Sequence, residues 1–188
     1  IAPNIDQNVK FNLYHLLCLS LSGRMVGARR EQLPEMIRTF IVLLSLTTFA
    51  NADNWTVDDD GKADFASIQD AIDASSNGDF ITVYPGIYFE SLNYLGKSIS
   101  VQGVDAATTI VDGSHSIASV VTFDSGETNQ SVLSKLTIRG GQGNYWDDPV
   151  FGQQRCGGGI YCENSSPTIQ LSVIENNSAW GGGGMFVT

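Results

Sequence analysis

Two glycine-led stretches near the end of the chain decide the fold: Gly157–Cys162 (GGGIYC) and Gly182–Val187 (GGGMFV). The second repeats the first at an offset of 25 residues, and each position keeps its character: three glycines, then an apolar, an aromatic and an apolar residue. A self-match at a period of roughly 20 to 50 residues is typical of stacked repeat architectures, whose neighbouring units bury one continuous core. The pattern therefore predicts stacking, with Ile160 beneath Met185 and Cys162 beneath Val187 inside.

Alternating apolar residues recur before these repeats and indicate β-strands. We interpret Ile81, Ile99, Val121, Ile160 and Met185 as one series, with intervals of 18, 22, 39 and 25 residues. A second series consists of Ile110, Leu136/Ile138 and Val173/Ile174. The turns between the strands are rich in Gly, Asn, Ser and Asp and show no helical pattern, which argues against βαβ crossovers. The sequence predicts an all-β parallel β-helix of about four coils, given some 25 residues per coil.

One short helix is predicted ahead of the coils, over Phe65–Ser75, because Phe65, Ile68 and Ile72 form an apolar stripe. Its cap is either Asp64 or Ser67, the latter in a capping-box arrangement with Asp70. We expect this helix to close the open end of the solenoid core. Residues 53–79 are accordingly interpreted as a lead-in and capping helix, and residues 80–188 as coils.

The segment 36–52 reads as a signal peptide, with a basic start at Met36, an apolar run at Thr39–Phe49 and an A-x-A site ending at Ala52. Residues 1–35 are interpreted as upstream sequence without a fold. Met25 is an alternative start, and an amphipathic N-terminal helix is an alternative to the signal. The prediction is a secreted or cell-surface protein without membrane insertion after cleavage, because the apolar run is too short to span a bilayer.

Both ends of the chain carry expectations of their own. The first residue is Ile1 rather than Met, so we expect the natural chain to begin further upstream. The last predicted strand ends next to Thr188 without a capping element. Because a bare strand edge exposes unpaired amides, we expect further coils to follow.

The residues after Ala52 include 17 acidic and 5 basic side chains, a net charge of −12. Such a balance argues against nucleic acid and anionic membranes as partners. Cys156 and Cys162 are the cysteines of this part. Because Gly157–Cys162 reads as one extended strand, their Cα atoms would lie beyond the roughly 7 Å limit for a disulfide. We expect Cys162 in the core and Cys156 in a turn.

Three stretches resemble right-handed parallel β-helix proteins of the pectin lyase-like superfamily. Phe65–Glu90 is similar to the N-terminal segment of pectin methylesterases, including a G-x-Y-x-E element that ends at Glu90. Ile99–Gly113 resembles the coil that follows it, and Gly157–Met185 resembles generic β-helix repeats. The resemblance implies this fold, polysaccharide as the partner and a structural role for Glu90. No stretch matches the catalytic motifs of pectin methylesterases or the calcium cluster of pectate lyases, so no catalytic residue is carried over.

The 39-residue interval predicts one projecting loop, Asn144–Arg155, and loops on rigid scaffolds often carry binding groups. Its candidate carbohydrate contacts are Tyr145 and Trp146, which offer flat apolar faces, Asp147 and Asp148, which accept hydrogen bonds, and Arg155. The two aspartates could also bind Ca²⁺, and no other cofactor or metal is expected. Neighbouring carboxylates seldom flank a glycosidic bond, so they are not assigned as a catalytic pair. Alternatively, Trp146 and Phe151 form a local hydrophobic plug.

Outside this loop the sequence offers few candidate functional residues. His115 is the only histidine after residue 52 and reads as a surface residue, and Lys135 and Arg139 read as outward-facing charges. Two functions stay open. The first is a secreted protein that binds or processes polysaccharide, and its enzymatic forms would be a polysaccharide lyase, carbohydrate esterase or glycoside hydrolase. The second is a non-catalytic, adhesin-like display module of the cell surface.

Overall fold

The computed structural model describes residues 52–188. The predicted upstream segment and all of the predicted signal peptide except Ala52 lie outside these residues. In chain order the elements are β1 (Asn54–Val57), α1 (Ile68–Ala74), β2 (Phe80–Val83), β3 (Gly86–Tyr88), β4 (Leu92–Asn93), β5 (Ser100–Gly103), β6 (Thr109–Asp112), β7 (Val121–Phe123), β8 (Val132–Ser134), β9 (Thr137–Arg139), β10 (Asn144–Asp148), β11 (Gly152–Cys156), β12 (Ile160–Cys162), β13 (Thr168–Gln170), β14 (Val173–Ile174) and β15 (Met185–Val187).

Three parallel sheets form the body of the described chain. The first sheet has the order β1-β2-β5-β8-β13, the second β3-β6-β9-β14 and the third β4-β7-β12-β15. Each coil takes one strand from each sheet, so β2, β3 and β4 form the first of four coils and β13, β14 and β15 the last. Every pairing between coils is parallel. The predicted parallel β-helix is confirmed.

The connection from the second to the third sheet is the variable part of each coil, and we name it the long turn. It covers residues 89–91, 113–120, 140–159 and 175–184 in the four successive coils. The connection from the first to the second sheet is short in the third and fourth coils, where Lys135 and Leu171 adopt positive φ angles. Insertions therefore accumulate at one edge of the solenoid, which the long turns form.

The predicted strand series is wrong in one respect, since it joins strands of two different sheets. Val121 pairs with Leu92 in the coil below and with Ile160 above, all in the third sheet. Val101 belongs to the first sheet and pairs with Leu133. Alternation tells which side chains point inward, but it does not tell which of three equivalent sheets a strand joins.

The glycine-led repeats stack as predicted. Ile160 pairs with Met185, and Cys162 pairs with Val187. Backbone hydrogen bonds also join the glycines, from Gly158 N to Gly182 O at 3.2 Å. The strand is shorter than predicted, however, because Gly157 has a φ of 65° and begins a turn. Met185 and Val187 are 38% and 60% exposed, since they lie in the fourth coil.

The two cysteines of the described region are free thiols, in agreement with the prediction. Cys162 lies in the core as predicted. Cys156 is not a turn residue, because it ends β11 and is 1% exposed. Its burial raises the pKa of the thiol.

The lead-in contains a strand that the sequence did not predict. Asn54–Val57 pairs in parallel with β2 and adds a fifth strand to the first sheet. Asp79 fixes its start, because its carboxylate accepts hydrogen bonds from Asp53 N at 2.9 Å and from Trp55 Nε1 at 3.3 Å. The sequence showed no sign of this strand because the segment is polar, and its two inward residues, Trp55 and Val57, are too few to show alternation.

The predicted helix is confirmed in a shorter form. It spans Ile68–Ala74 and buries Ile68, Ala71 and Ile72 against the core. Ser67 is the N-cap, and its hydroxyl accepts a hydrogen bond from Asp70 N at 3.3 Å. Asp64, the alternative cap, instead bonds to Thr56 at 2.7 Å. Residues 52–188 contain no other α-helix, and this helix is too short to cross a bilayer.

Glu90 completes the helix N-terminus from a distant part of the chain. Its carboxylate accepts hydrogen bonds from Ile68 N and Gln69 N, both at 2.9 Å, and from Ser67 Oγ at 3.0 Å. These are amides that a helix start leaves without intrahelical partners. The final residue of the G-x-Y-x-E element therefore joins the helix to the first coil.

Replacing Glu90 by alanine is expected to lower the free energy of unfolding by about 2 kcal/mol, because two helix amides and one hydroxyl lose their acceptor. Urea denaturation followed by circular dichroism measures this loss. Glu90→Gln is the matched control, since it keeps the length and one acceptor oxygen, and it should lose less. Equal stability of Glu90→Ala and the wild type would contradict the capping role.

Candidate binding cleft beside the hairpin

The projecting loop predicted in the 39-residue interval is an antiparallel hairpin. Asn144–Asp148 pairs with Gly152–Cys156, and this is the one antiparallel strand pair among residues 52–188. Asp148 holds the tip, because its Oδ1 accepts hydrogen bonds from Val150 N at 2.7 Å and from Phe151 N at 2.8 Å. The sequence missed the strands because their side chains are polar and aromatic, without an apolar alternation.

Alternation along the hairpin divides the predicted contacts between two faces. Tyr145 and Asp147 are exposed on one face, while Trp146 and Asp148 are half-buried on the other. Trp146 packs on Phe186 of the third sheet at 5.2 Å between ring centroids. Trp146 is thus a packing residue, as the plug interpretation had it, but its partner is Phe186 and not Phe151. The structure does not bring Asp147 and Asp148 together, since they point to opposite sides of the strand.

The outer face of the third sheet lies beneath Trp146. Tyr161 stacks on Phe186 at 5.8 Å with an interplanar angle of 19°, as the repeat pairing predicts. Tyr161 is only 3% exposed, and its hydroxyl donates to Glu163 Oε2 at 2.8 Å. Burial and this carboxylate raise the pKa of Tyr161 far above that of a free phenol. This part of the face is therefore covered.

Tyr145 and Arg155 face each other across the hairpin and form its outer surface. The Arg155 guanidinium carbon lies 4.5 Å from the centre of the Tyr145 ring, a cation–π arrangement. Arg155 Nη1 donates to Gly143 O at 3.1 Å and also to Ile117 O in the long turn of the second coil. Of the five predicted contact residues, these two come together on the exposed side.

A cleft of about 420 Å³ opens between this surface and the long turn of the fourth coil. Its lining combines rings, amides and one guanidinium: Gln142, Tyr145, Gln153, Gln154, Arg155, Ser178, Ala179 and Trp180. Trp180 is 63% exposed and contacts Phe151 at 5.6 Å. Trp180 was not among the candidate contacts predicted from the sequence, because only the stacking of the coils brings it to this cleft.

The charge of the cleft differs from that of the whole chain. Among its lining residues within the described region there is no carboxylate, and Arg155 supplies one positive charge. Residues 52–188 contain no group of three or more His, Cys, Asp or Glu that could hold a metal ion. The arrangement can stack a flat apolar ring face on Tyr145 or Trp180 and donate or accept hydrogen bonds through the glutamine amides.

The other charged candidates lie elsewhere. Arg139 is not a free outward charge, because its Nε donates to Asp112 Oδ2 at 2.8 Å. Burial opposes ionisation of Asp112, but hydrogen bonds from Ser114 and Arg139 outweigh it and lower the pKa of that carboxyl. His115 is a surface residue as predicted, and its ring stacks on Phe89 at 4.5 Å.

A second cleft of similar volume lies on the first sheet. Among its lining residues Phe80 is the aromatic one, and neither lysine nor arginine contributes: Asn77, Gly78, Asp79, Phe80, Ser98, Ser100 and Gln130. Because it offers one ring and no cation, it is less suited to sugar stacking than the cleft beside the hairpin.

The fold and the hairpin cleft define a parallel β-helix repeat protein with an aromatic surface along its long turns. Sequence comparison shows similarity to a probable pectinesterase/pectinesterase inhibitor of Arabidopsis thaliana, with 32% identity over 90 residues. This match covers 47% of the chain but 18% of the relative's length. The resemblance to pectin methylesterase-type β-helices is thereby confirmed.

Among solved structures, the chain is similar to a pectin methylesterase crystallised in complex with a hexasaccharide. The identity is 19% and the TM-score 0.39, over 64% of this chain and 46% of that one. No protein-family model matches the sequence.

Proposed function

We propose that this protein binds polysaccharide in the cleft beside the hairpin. One observation carries the proposal: Tyr145 and Trp180 are 57% and 63% exposed and line the same cleft. Arg155 lines this cleft as well. Trp180 contacts Phe151 and Tyr145 packs on Arg155, yet both rings stay largely exposed, and sugar rings stack on such faces. The glutamine amides beside them supply hydrogen-bond partners for hydroxyl groups.

Pectin is the polysaccharide class that this proposal favours. The name of the plant relative, a probable pectinesterase, supports the choice. Arg155 also supports pectin as the ligand class. Within residues 52–188 its Nη1 and Nη2 atoms donate hydrogen bonds, whereas its Nε–H makes none and can donate to a ligand. An N–H at that position suits a carboxyl or ester oxygen of a uronate unit.

Binding without catalysis is the form of this function that the cleft supports. Its described lining lacks the pair of carboxylates with which most glycosidases flank a scissile bond. A non-catalytic display module of the cell surface would use the same cleft, so the two proposals share one binding test. We place the protein outside the cell on the strength of the leader predicted at residues 36–52.

Trp180→Ala is expected to weaken binding of a methyl-esterified pectin oligosaccharide about tenfold, because one stacking face is lost. Isothermal titration calorimetry on the wild type and the variant measures the change. Tyr84→Ala is the matched control, since Tyr84 is also exposed, at 40%, but lies on the opposite connection between the first and second sheets. Its affinity should equal that of the wild type.

Absence of pectin binding by the wild type would refute the proposal, and so would equal affinities of Trp180→Ala and the wild type. The same samples should be assayed for methanol release and for unsaturated products. Turnover that Trp180→Ala reduces would show processing at this cleft and overturn the non-catalytic form of the proposal.

A further inference from the structure

The outer side of the second sheet carries an apolar row of side chains. The row stacks through all four coils and consists of Ile87, Ile110, Thr137 and Val173. Because the neighbouring strand residues Tyr88, Val111 and Ile138 lie in the core, alternation directs this row outward. Ile87 and Val173, in the first and last coils, are 42% and 44% exposed. The second sheet therefore presents apolar side chains to solvent.

The connections from the first to the second sheet extend this apolar surface. Tyr84, Val104 and Leu171 lie there in the first, second and fourth coils, and all three are exposed. We name the row of strand residues together with these three side chains the second-sheet face. The first sheet differs, because one of its outer rows is polar: Thr82, Gln102, Ser134 and Gln170. An apolar surface that spans several strands is typical of an interaction site.

Charged side chains border the second-sheet face. Lys135 occupies the position in the third coil that Leu171 has in the fourth, and Asp105 lies in the same connection of the second coil. Within residues 52–188 neither Lys135 nor Asp105 makes an ion pair. At the opposite border Arg139 and Asp112 pair with each other. The two middle coils thus leave one cation and one anion unpaired, both beside the apolar row.

This arrangement of charges is self-complementary. A twofold axis parallel to the strands, between the second and third coils, would reverse the order of the coils and keep the same border of the two faces together. Lys135 of one copy would then lie over Asp105 of the second copy, and this pair would occur twice. Ile87 in the first coil would lie over Val173 in the fourth. Symmetric dimers are the commonest oligomers, and apolar sheet faces pack on each other about 10 Å apart.

We infer that the second-sheet face is the interface of a symmetric homodimer, in which a second copy covers the apolar row and pairs Lys135 with Asp105. Four strands about 4.8 Å apart and strand segments of about five residues give a flat area of roughly 300 Å² per copy. A standard interface buries about 800 Å² per partner, so the dimer is weak, with a Kd of roughly 100 µM. The net charge of −12 after Ala52 opposes association, but physiological salt screens it beyond about 8 Å.

Sedimentation velocity between about 5 and 500 µM protein tests the interface, and the average mass should rise from monomer towards dimer. Leu171→Asp should weaken association at least about tenfold, because it places a carboxylate against an apolar surface. Leu171 is 71% exposed and has a φ of 53°, which aspartate tolerates, so the variant should fold, as circular dichroism can verify. Val150→Asp is the matched control. Val150 is 78% exposed at the hairpin tip, and the variant should dimerise like the wild type.

Charge reversal tests the twofold arrangement. Lys135→Asp and Asp105→Lys should each weaken association about threefold or more, because each change turns two attractive pairs into repulsive ones. The double variant restores both pairs with their signs exchanged, so its Kd should return to within about twofold of the wild type. Weakening by both single variants without recovery in the double variant would refute the pairing of Lys135 with Asp105.

Three results would overturn the dimer itself. The first is a protein that stays monomeric up to about 500 µM. The second is an equal effect of Leu171→Asp and Val150→Asp, and the third is an assembly larger than a dimer, which would require a different interface. All samples are free of carbohydrate, so these outcomes are independent of the function proposed for the hairpin cleft.

Discussion

Replacing Glu127 by alanine is expected to lower the free energy of unfolding by roughly 3 to 5 kcal/mol, one of the two largest effects among the substitutions considered. The Glu127 side chain is buried, at 2% exposure. Its carboxylate accepts hydrogen bonds from Gly96 N at 2.8 Å, Ser125 N at 3.0 Å and Ser165 Oγ at 2.9 Å. Alanine would leave three donors without this acceptor and a cavity in place of the carboxylate.

The effect is large because Glu127 joins three coils. Gly96 follows β4 in the first coil, Ser125 follows β7 in the second and Ser165 follows β12 in the third. All three lie in connections from the third to the first sheet. In a solenoid, stability is approximately a sum of terms for each repeat and for its interfaces, so one residue that bridges two interfaces counts twice.

Two variants give the prediction its controls. Glu127→Gln keeps the shape but points an N–H₂ group at a donor, so an intermediate loss is expected. Glu175→Ala removes an exposed carboxylate whose side chain makes no hydrogen bond within the described region, and it should change stability by less than about 0.5 kcal/mol. Guanidinium denaturation measures all three. A Glu127→Ala loss no larger than that of Glu175→Ala would contradict the bridging role.

Gly141→Ala is expected to destabilise the protein by roughly 3 kcal/mol or more, because the coils leave no room for a methyl group. A Cβ at Gly141 would lie 1.9 Å from the carbonyl oxygen of Gly158 and 2.7 Å from Val120 Cγ2. The carbonyl cannot move away without breaking its hydrogen bond from Val120 N. Because Gly141 and Gly158 both lie in the long turn of the third coil, this turn would have to open between its two ends.

The matched control for this variant is Gly184→Ala, one coil further along. The nearest atom to a Cβ at Gly184 is Ile174 Cγ2 at 3.7 Å, an ordinary contact distance. Neither Gly141 nor Gly184 has a positive φ, so the comparison isolates steric overlap from backbone strain. Thermal unfolding should show a large drop for Gly141→Ala and a small change for Gly184→Ala. Similar melting temperatures of the two variants would refute the close-approach argument.

The candidate site was partly predictable from the sequence. The 39-residue interval located the projecting segment, and Tyr145 and Arg155 do line the cleft. Trp146 was also predicted to contact the ligand, but it lies on the other face. The sequence does not show that the segment forms a hairpin whose alternate residues face opposite ways. Trp180 was missed because it lies 25 residues after Arg155 and reaches the cleft only through coil stacking.

The amino-acid sequence by itself determined the coil repeat, the inward set of side chains and the short helix ahead of the coils, whose cap it left open between Asp64 and Ser67. These depend on local periodicity and on capping chemistry, which a chain carries without reference to its distant parts. Only the tertiary structure decided which strands share a sheet, where Glu127 finds its donors and how Tyr145 and Trp180 come to line one cleft. All three sheets share the same two-residue alternation, so the register between coils is settled by their packing and not by the pattern of any one strand.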